Sequence, residues 1–195
     1  MALLRTATPS DLGPVIEAEK VVLRTPQMSD YPAWAELRAA SHEFLTPWEP
    51  LWATDELSRA SFRRRVRHYL RDLREDVGYA LFIFAAMSGY LVGGLTLCNV
   101  RRGVTQSCTL GYWIGAKYAQ QGYMTAAVRA VIPFVFDSLE LHRLEAACLP
   151  NNTASIKLLE RTGFRREGLA RRYLRINGVW QDHLLYALLD SDPRP

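Results

Sequence analysis

Lysine is nearly missing from this chain. Of its 24 basic residues only Lys20, Lys117 and Lys157 are lysines, and the other 21 are arginines. Against 20 acidic groups they leave a formal charge of +4 over 195 residues and a pI near 9.1. That excess is too small to establish a nucleic-acid partner by itself. Arginine forks suit phosphates and carboxylates, although a biased genome composition also favours arginine over lysine. Cysteine is scarce too: Cys98, Cys108 and Cys148 make an odd total without a C-x-x-C pair. This argues against a disulfide framework and against a zinc site, so no metal is expected, and it fits a reducing compartment. No window approaches the roughly 18 uninterrupted apolar residues of a membrane span, and no basic segment followed by an apolar core opens the chain. The expectation is a soluble, cytoplasmic protein without a membrane partner. Internal repeats are not visible. The 49% hydrophobic and 11% aromatic content excludes a disordered chain, and the length favours one domain.

Periodicity divides the chain. Residues 1–18 mix Thr, Pro, Ser, Asp and Gly without a sustained period and read as a loose N-terminal extension. The domain follows over 19–190, and 191–195 form a short C-terminal tail. Val21 to Arg24 predicts a strand ended by Pro26, and Ser29, Asp30 and Pro32 open a helix that continues to about Leu45. Two prolines bracket Trp48 and Glu49 in Thr46 to Trp52, so this stretch reads as a connecting loop. A second helix is predicted from Thr54 to about Glu75. Phe62, Val66, Tyr69, Leu70 and Leu73 share one face, with Arg63, Arg64, Arg67, Arg71 and Arg74 opposite. Strands follow at 79–87, 91–100 and 108–115, then a helix over 121–139 with Pro133 as a kink. A strand at 143–149, a helix at 153–161 and two strands joined at Asn177-Gly178 complete the pattern. The order βααβββαβαββ describes a mixed α/β domain around a central sheet.

Three segments carry chemistry together: the strand Gly111-Tyr112-Trp113-Ile114, the turn Gln120-Gln121-Gly122-Tyr123-Met124 entering a helix, and Pro150-Asn151-Asn152-Thr153-Ala154-Ser155 entering another. A strand feeding a helix N-terminus presents free backbone N–H groups and a positive dipole end, which suit a diphosphate. With these residues the chain resembles the GNAT N-acetyltransferase superfamily, and within it the RimJ-type alanine N-acetyltransferases that modify a ribosomal protein. FLTPWEP from Phe44 to Pro50, LGYWIG from Leu110 to Gly115 and NGVWQDHLL from Asn177 to Leu185 carry the narrower likeness. It extends over roughly Val21 to Leu189.

The resemblance implies the GNAT fold, with a largely antiparallel central sheet and helices on both faces, and acetyl-CoA as cosubstrate. It places the cofactor along Trp113, Ile114, Gln120, Gln121, Gly122, Tyr123, Met124 and Thr125. This turn keeps Gly122 alone, with Met124 where the family often has another glycine. Asn152 would bind the pantetheine arm, and Ser155 or Tyr112 would protonate the departing thiolate. Asn152 and Ser155 also read as ordinary helix caps. The acceptor would lie against Trp48, Trp180 and Asp182, with Glu49 as leading general base and Asp182 and His183 as runners-up. An α-amine of pKa about 8 is roughly 10% neutral at pH 7, so it needs only a mild base. The acceptor that the resemblance implies is the N-terminal alanine of a ribosomal protein. Alternatives are a small-amine acetyltransferase, or a ribosome-associated RNA-binding factor. The second alternative rests on the arginine stripe of the second helix and on Arg165, Arg166, Arg171, Arg172 and Arg175.

Overall fold

A computed structural model describes residues 13–194. Eight strands form one sheet: β1 Val15–Glu17, β2 Val21–Arg24, β3 Tyr79–Ala85, β4 Leu91–Arg101, β5 Ser107–Ile114, β6 Arg143–Cys148, β7 Arg165–Ile176 and β8 Val179–Leu189. Their spatial order is β1-β2-β3-β4-β5-β6-β8-β7. Every neighbouring pair is antiparallel except β5 and β6, which run parallel. The helices are α1 Tyr31–Ala40, α2 His42–Leu45, α3 Arg59–Arg74, α4 Tyr123–Pro133 and α5 Thr153–Arg161.

Alternation along β3 shows how the sheet builds two cores. Leu81 and Ile83 point to the face covered by α4 and α5, where Val128, Val131 and Leu159 are buried. Phe82, between them, points to the other face and meets Trp34 and Leu37 of α1 and Phe62 and Val66 of α3. Each fully buried side chain of this size contributes about 1.5–3 kcal/mol relative to exposure. Helices therefore cover both faces, as the resemblance implies.

Local chemistry sets the boundaries, and it moves several expected ones. Within the expected extension, Val15–Glu17 pair with β2 and Ile16 is buried; residues 1–12 and 195 lie outside the described chain. The long first helix divides at Ser41, whose Oγ accepts from the Ala116 N–H at 2.9 Å. Thr46–Trp48 form a 3-10 turn instead of an open loop, with Pro47 at its start, where a missing N–H costs nothing. The arginine-rich helix starts at Arg59 and not at Thr54, because the Ser58 side chain accepts from Ser61 N–H at 3.0 Å. Pro133 lacks the N–H that would continue α4, and the chain widens into a π-type turn over Phe134–Ser138. Asn177 and Gly178 close the last hairpin with φ of 43° and 81°, the left-handed pair that a tight β-turn demands. In the tail, Asp192 accepts from Leu189 N–H at 3.0 Å, and Arg194 reaches Asp137 at 2.7 Å.

The parallel junction positions the site. β5 and β6 pair only from Ser107 with Arg143 to Leu110 with Ala146. Beyond that point β4 still holds β5 as far as Ile114, and β8 holds β6 as far as Cys148. The inner edges of the two strands part while their outer edges stay laddered. A wedge opens in the middle of the sheet, and the Gly111–Ile114 edge that faces β6 has no strand partner.

Candidate active site

Tyr112 and Ser155 meet across the wedge. Tyr112 lies on β5, Ser155 in the first turn of α5 just after β6, and their hydroxyl oxygens are 2.5 Å apart. Asn152 caps α5 by accepting the Ser155 N–H on its Oδ1 at 3.0 Å, which fixes the Ser155 backbone. Ser155 is only 9% exposed. Burial pushes the Tyr112 phenol well above its ordinary range, because the phenolate loses its hydration there. The pair therefore remains a neutral O–H···O couple at physiological pH, able to donate a proton but not to act as a strong base.

Trp113, one residue on, faces the opposite way. Its indole lies against β4, where a Cβ at Gly94 would come within 2.5 Å of Nε1. Its ring also takes the Arg38 guanidinium, 4.9 Å from the centroid. Ile114 shares the Tyr112 face and packs on the α4 side. Of the two β5 residues expected along the cofactor, Ile114 thus has its side chain toward α4, whereas Trp113 could reach that face only through its backbone.

The turn into α4 offers donors. Gln120 and Gly122 adopt φ of 59° and 80°, and Gly122 is the N-terminal cap without a side-chain hydrogen bond. Among the described residues the first helical bond is Ala126 N–H to Gly122 C=O, so the N–H groups of Tyr123, Met124 and Thr125 have no protein acceptor. A Cβ at Gly122 would meet only Lys20 Nζ, at 3.5 Å. Lys20 donates to Gln121 C=O at 2.5 Å and lies 5.0 Å from the Tyr123 ring centroid. Sequence reasoning missed this cation, since it comes from the β1–β2 turn, 101 residues away. Unpaired N–H groups, a helix dipole and an ammonium group fit a diphosphate well, and Met124 in place of a glycine leaves the backbone donors intact.

Glu49 is tightly held. Its two carboxylate oxygens accept from Arg38 Nη1 at 2.6 Å and Nη2 at 2.7 Å, and Oε2 also accepts from Trp52 Nε1 at 2.9 Å. Arg38 is 6% exposed and stacks 4.4 Å from the Trp52 ring centroid. Its Nε is buried without a hydrogen-bond partner, so the two indole faces are what shelter that side of the guanidinium. The Glu49 carbonyl accepts from Asn177 N–H at 2.8 Å. The proline-rich loop thereby runs from Trp113 to the β7–β8 hairpin.

A cleft of about 430 Å³ opens beside this strap, lined by Pro47, Leu149, Pro150, Asn151, Arg172, Trp180, Gln181 and Asp182. Leu149 to Asn151 lead directly into α5, so the cleft adjoins the Ser155 end of the wedge. Of the residues expected at the acceptor, Trp180 and Asp182 line it, whereas the half-buried Trp48 does not. Asp182 Oδ1 accepts from Arg172 N–H at 2.8 Å. His183 faces inward, 2% exposed, with Nδ1 3.0 Å from Gln181 C=O. The thiols stand apart from this chemistry: burial pushes Cys108 up to about 12 and Cys148 up to about 11. Among the described residues no cluster of His, Cys, Asp and Glu is arranged to hold a metal ion, and no helix is long and apolar enough to cross a membrane.

Comparison with known proteins adds to this geometry. A family model described as an acetyltransferase (GNAT) domain matches residues 20–165. "Probable N-acetyltransferase YjcK" of Bacillus subtilis is 33% identical over 178 residues, 91% of this chain and 98% of the relative. The ribosomal protein uS5-alanine N-acetyltransferase of Escherichia coli is 32% identical over 182 residues, 92% of this chain and 93% of the relative. Among solved structures, Mycobacterium smegmatis RimJ in complex with CoA-disulfide superposes with a TM-score of 0.82 at 34% identity, covering 91% of this chain and 86% of that one.

Proposed function

The chain belongs to the acetyltransferase (GNAT) domain family, and from that premise we propose that it moves an acetyl group from acetyl-CoA to the α-amine of a polypeptide N-terminus. The terminal residue is alanine and the acceptor a ribosomal protein, as in the Escherichia coli relative. The observation that carries this reading is the wedge, with the Tyr112–Ser155 couple on one side and the strapped cleft on the other. A cytoplasmic location follows from such an acceptor.

Acetyl-CoA supplies an activated acetyl thioester, and the residues of this chain do the rest. The N–H groups of Tyr123, Met124 and Thr125, with Lys20, take the diphosphate, and Asn152 turns its remaining amide donors toward the pantetheine arm. Backbone donors on the free Gly111–Ile114 edge polarise the acetyl carbonyl; one such donor is worth about 2.7–4 kcal/mol in the transition state. The neutral α-amine forms the new C–N bond as the C–S bond breaks, and the sulfur keeps the electron pair. Tyr112, relayed by Ser155, donates a proton to that sulfur and is reprotonated from solvent, and the nitrogen gives up its own proton through water.

Both Glu49 oxygens are already engaged by Arg38 and Trp52, which suits that carboxylate to holding the strap and its field in place. Asp182, whose Oδ2 has no partner among the described residues, is better placed to receive the ammonium and accept its proton. Most of the rate then comes from positioning.

The test is incubation with acetyl-CoA and an Ala-initiated peptide containing an internal lysine, followed by fragment mass spectrometry. Acetyl on the α-amine supports the reading, and transfer only to lysine side chains or polyamines contradicts it.

A further inference from the structure

The cleft has a feature that acetyl transfer alone does not call for. β7 and β8 lose register between Ala170 and Leu174, and at the centre of that bulge Arg172 adopts a φ of 48°. A non-glycine residue held in the left-handed region is strained, and bulges re-aim side chains. What holds Arg172 there is its N–H bond to Asp182, the same carboxylate that faces the cleft. Of the neighbouring arginines, Arg165 pairs with Asp192, Arg143 with Glu145 and Glu167, and Arg175 Nε donates to Gly178 C=O, while Arg166 and Arg171, like Arg172, have no carboxylate partner among the described residues but do not line the cleft. Arg172 lines the cleft, and its guanidinium pairs with no carboxylate among the described residues.

The cleft therefore presents one carboxylate with a free oxygen and one uncompensated guanidinium, beside the half-exposed indole of Trp180. An N-terminal segment with an ammonium at its first residue and a carboxylate shortly after it is complementary to that pair. We propose that Arg172 reads an acidic side chain near the acceptor terminus, so that the enzyme selects N-terminal segments carrying Asp or Glu at the second to fourth position. This rests on the α-amine reading above and specifies its substrate class. Asp182 fixes the bulge and takes the ammonium, and Arg172 supplies the selectivity. An arginine fork binds a carboxylate through two parallel N–H bonds. In a cleft open to solvent, that pairing is screened by salt.

The test uses the full chain, acetyl-CoA and Ala-initiated peptides differing only by Glu, Gln or Lys at positions two, three or four. With the unsubstituted enzyme, kcat/KM for the best Glu peptide exceeds that of its Gln counterpart about tenfold, with Lys lower still, and the ratio shrinks as salt rises. Arg172→Glu inverts the order so that Lys is preferred over Glu, and Arg172→Gln brings the three peptides together. Ratios within one variant are unaffected by a loss of folded enzyme, and the unsubstituted enzyme alone decides the first comparison. Acetylation of all three α-amines within twofold overturns this proposal and leaves the α-amine reading standing. Acetyl on no α-amine overturns both. If Arg172→Glu keeps the Glu preference but weakens binding of ribosomal RNA, the arginine serves a nucleic acid and the proposal falls.

Discussion

The two banks of the wedge are built by different means. On the α4 and α5 bank the groups proposed to face the cofactor are backbone donors and helix caps: free N–H groups after Gly122, Asn152 bonded to Ser155, and a nearby ammonium. On the other bank the acceptor cleft depends on particular side chains that meet over long sequence separations. Arg38, its guanidinium set against two tryptophans, clamps Glu49, and the Glu49 carbonyl ties the strap to Asn177. A bank made of backbone should tolerate changes of residue type, and the Met124 N–H remains free although a side chain stands at that position. A bank made of a buried ion pair should not, because removing one partner strands the other.

The largest expected break in this comparison is Arg38→Ala. It leaves Glu49 half-buried and unpaired, a loss of about 3–5 kcal/mol for such pairs, read as a Tm drop of roughly 10 °C by calorimetry. Peptide turnover should vanish with it, while the folded fraction still binds CoA. Folded Arg38→Ala protein that acetylates peptides normally would show that the strap is not part of the acceptor site.

Tyr112→Phe removes the proton donor but keeps the packing. Its kcat should fall about a hundredfold, at the low end for general acids, with a much smaller change in the KM for acetyl-CoA. A kcat within threefold of the unsubstituted enzyme would transfer the acid role to Ser155 or to solvent.

Lys20→Ala sharpens the contrast at its small end. One exposed cation beside a diphosphate should change the KM for acetyl-CoA only a few-fold, and that difference should disappear at high salt. A loss of tenfold or more that survives salt would mean that the α4 bank also depends on a specific side chain.

What could be read from the sequence follows the same division. The Asn177-Gly178 turn, the Asn152 cap, the Gly122 entry to α4 and the opposite facing of Tyr112 and Trp113 are local, and each was legible from a few adjacent residues. The helix break at Ser41 was not, because its acceptor role is claimed by Ala116, far along the chain. The start of α3 was expected at Thr54, and the Ser58 side chain, which caps the helix, moves it to Arg59. Lys20 beside Gln121, Arg38 on Glu49 and the parting of β5 from β6 left no local mark, since each is a tertiary meeting. One of the three lysines, Lys20, stands at the turn into α4 that is proposed to hold the cofactor. The arginines of α3 are mixed: Arg64 pairs with Asp55 and Arg65 with Glu56, whereas Arg63, Arg67 and Arg74, like Arg172 in the cleft, have no carboxylate partner among the described residues.

The most direct test of the division between banks is steady-state kinetics of Asp182→Asn with both substrates varied. Asparagine keeps an oxygen for the Arg172 N–H and removes only the charge that faces the cleft. The two-bank account predicts that kcat/KM for the peptide falls at least tenfold while the KM for acetyl-CoA stays within twofold. An equal loss on the acetyl-CoA side, or an unchanged kcat/KM for the peptide, would contradict it.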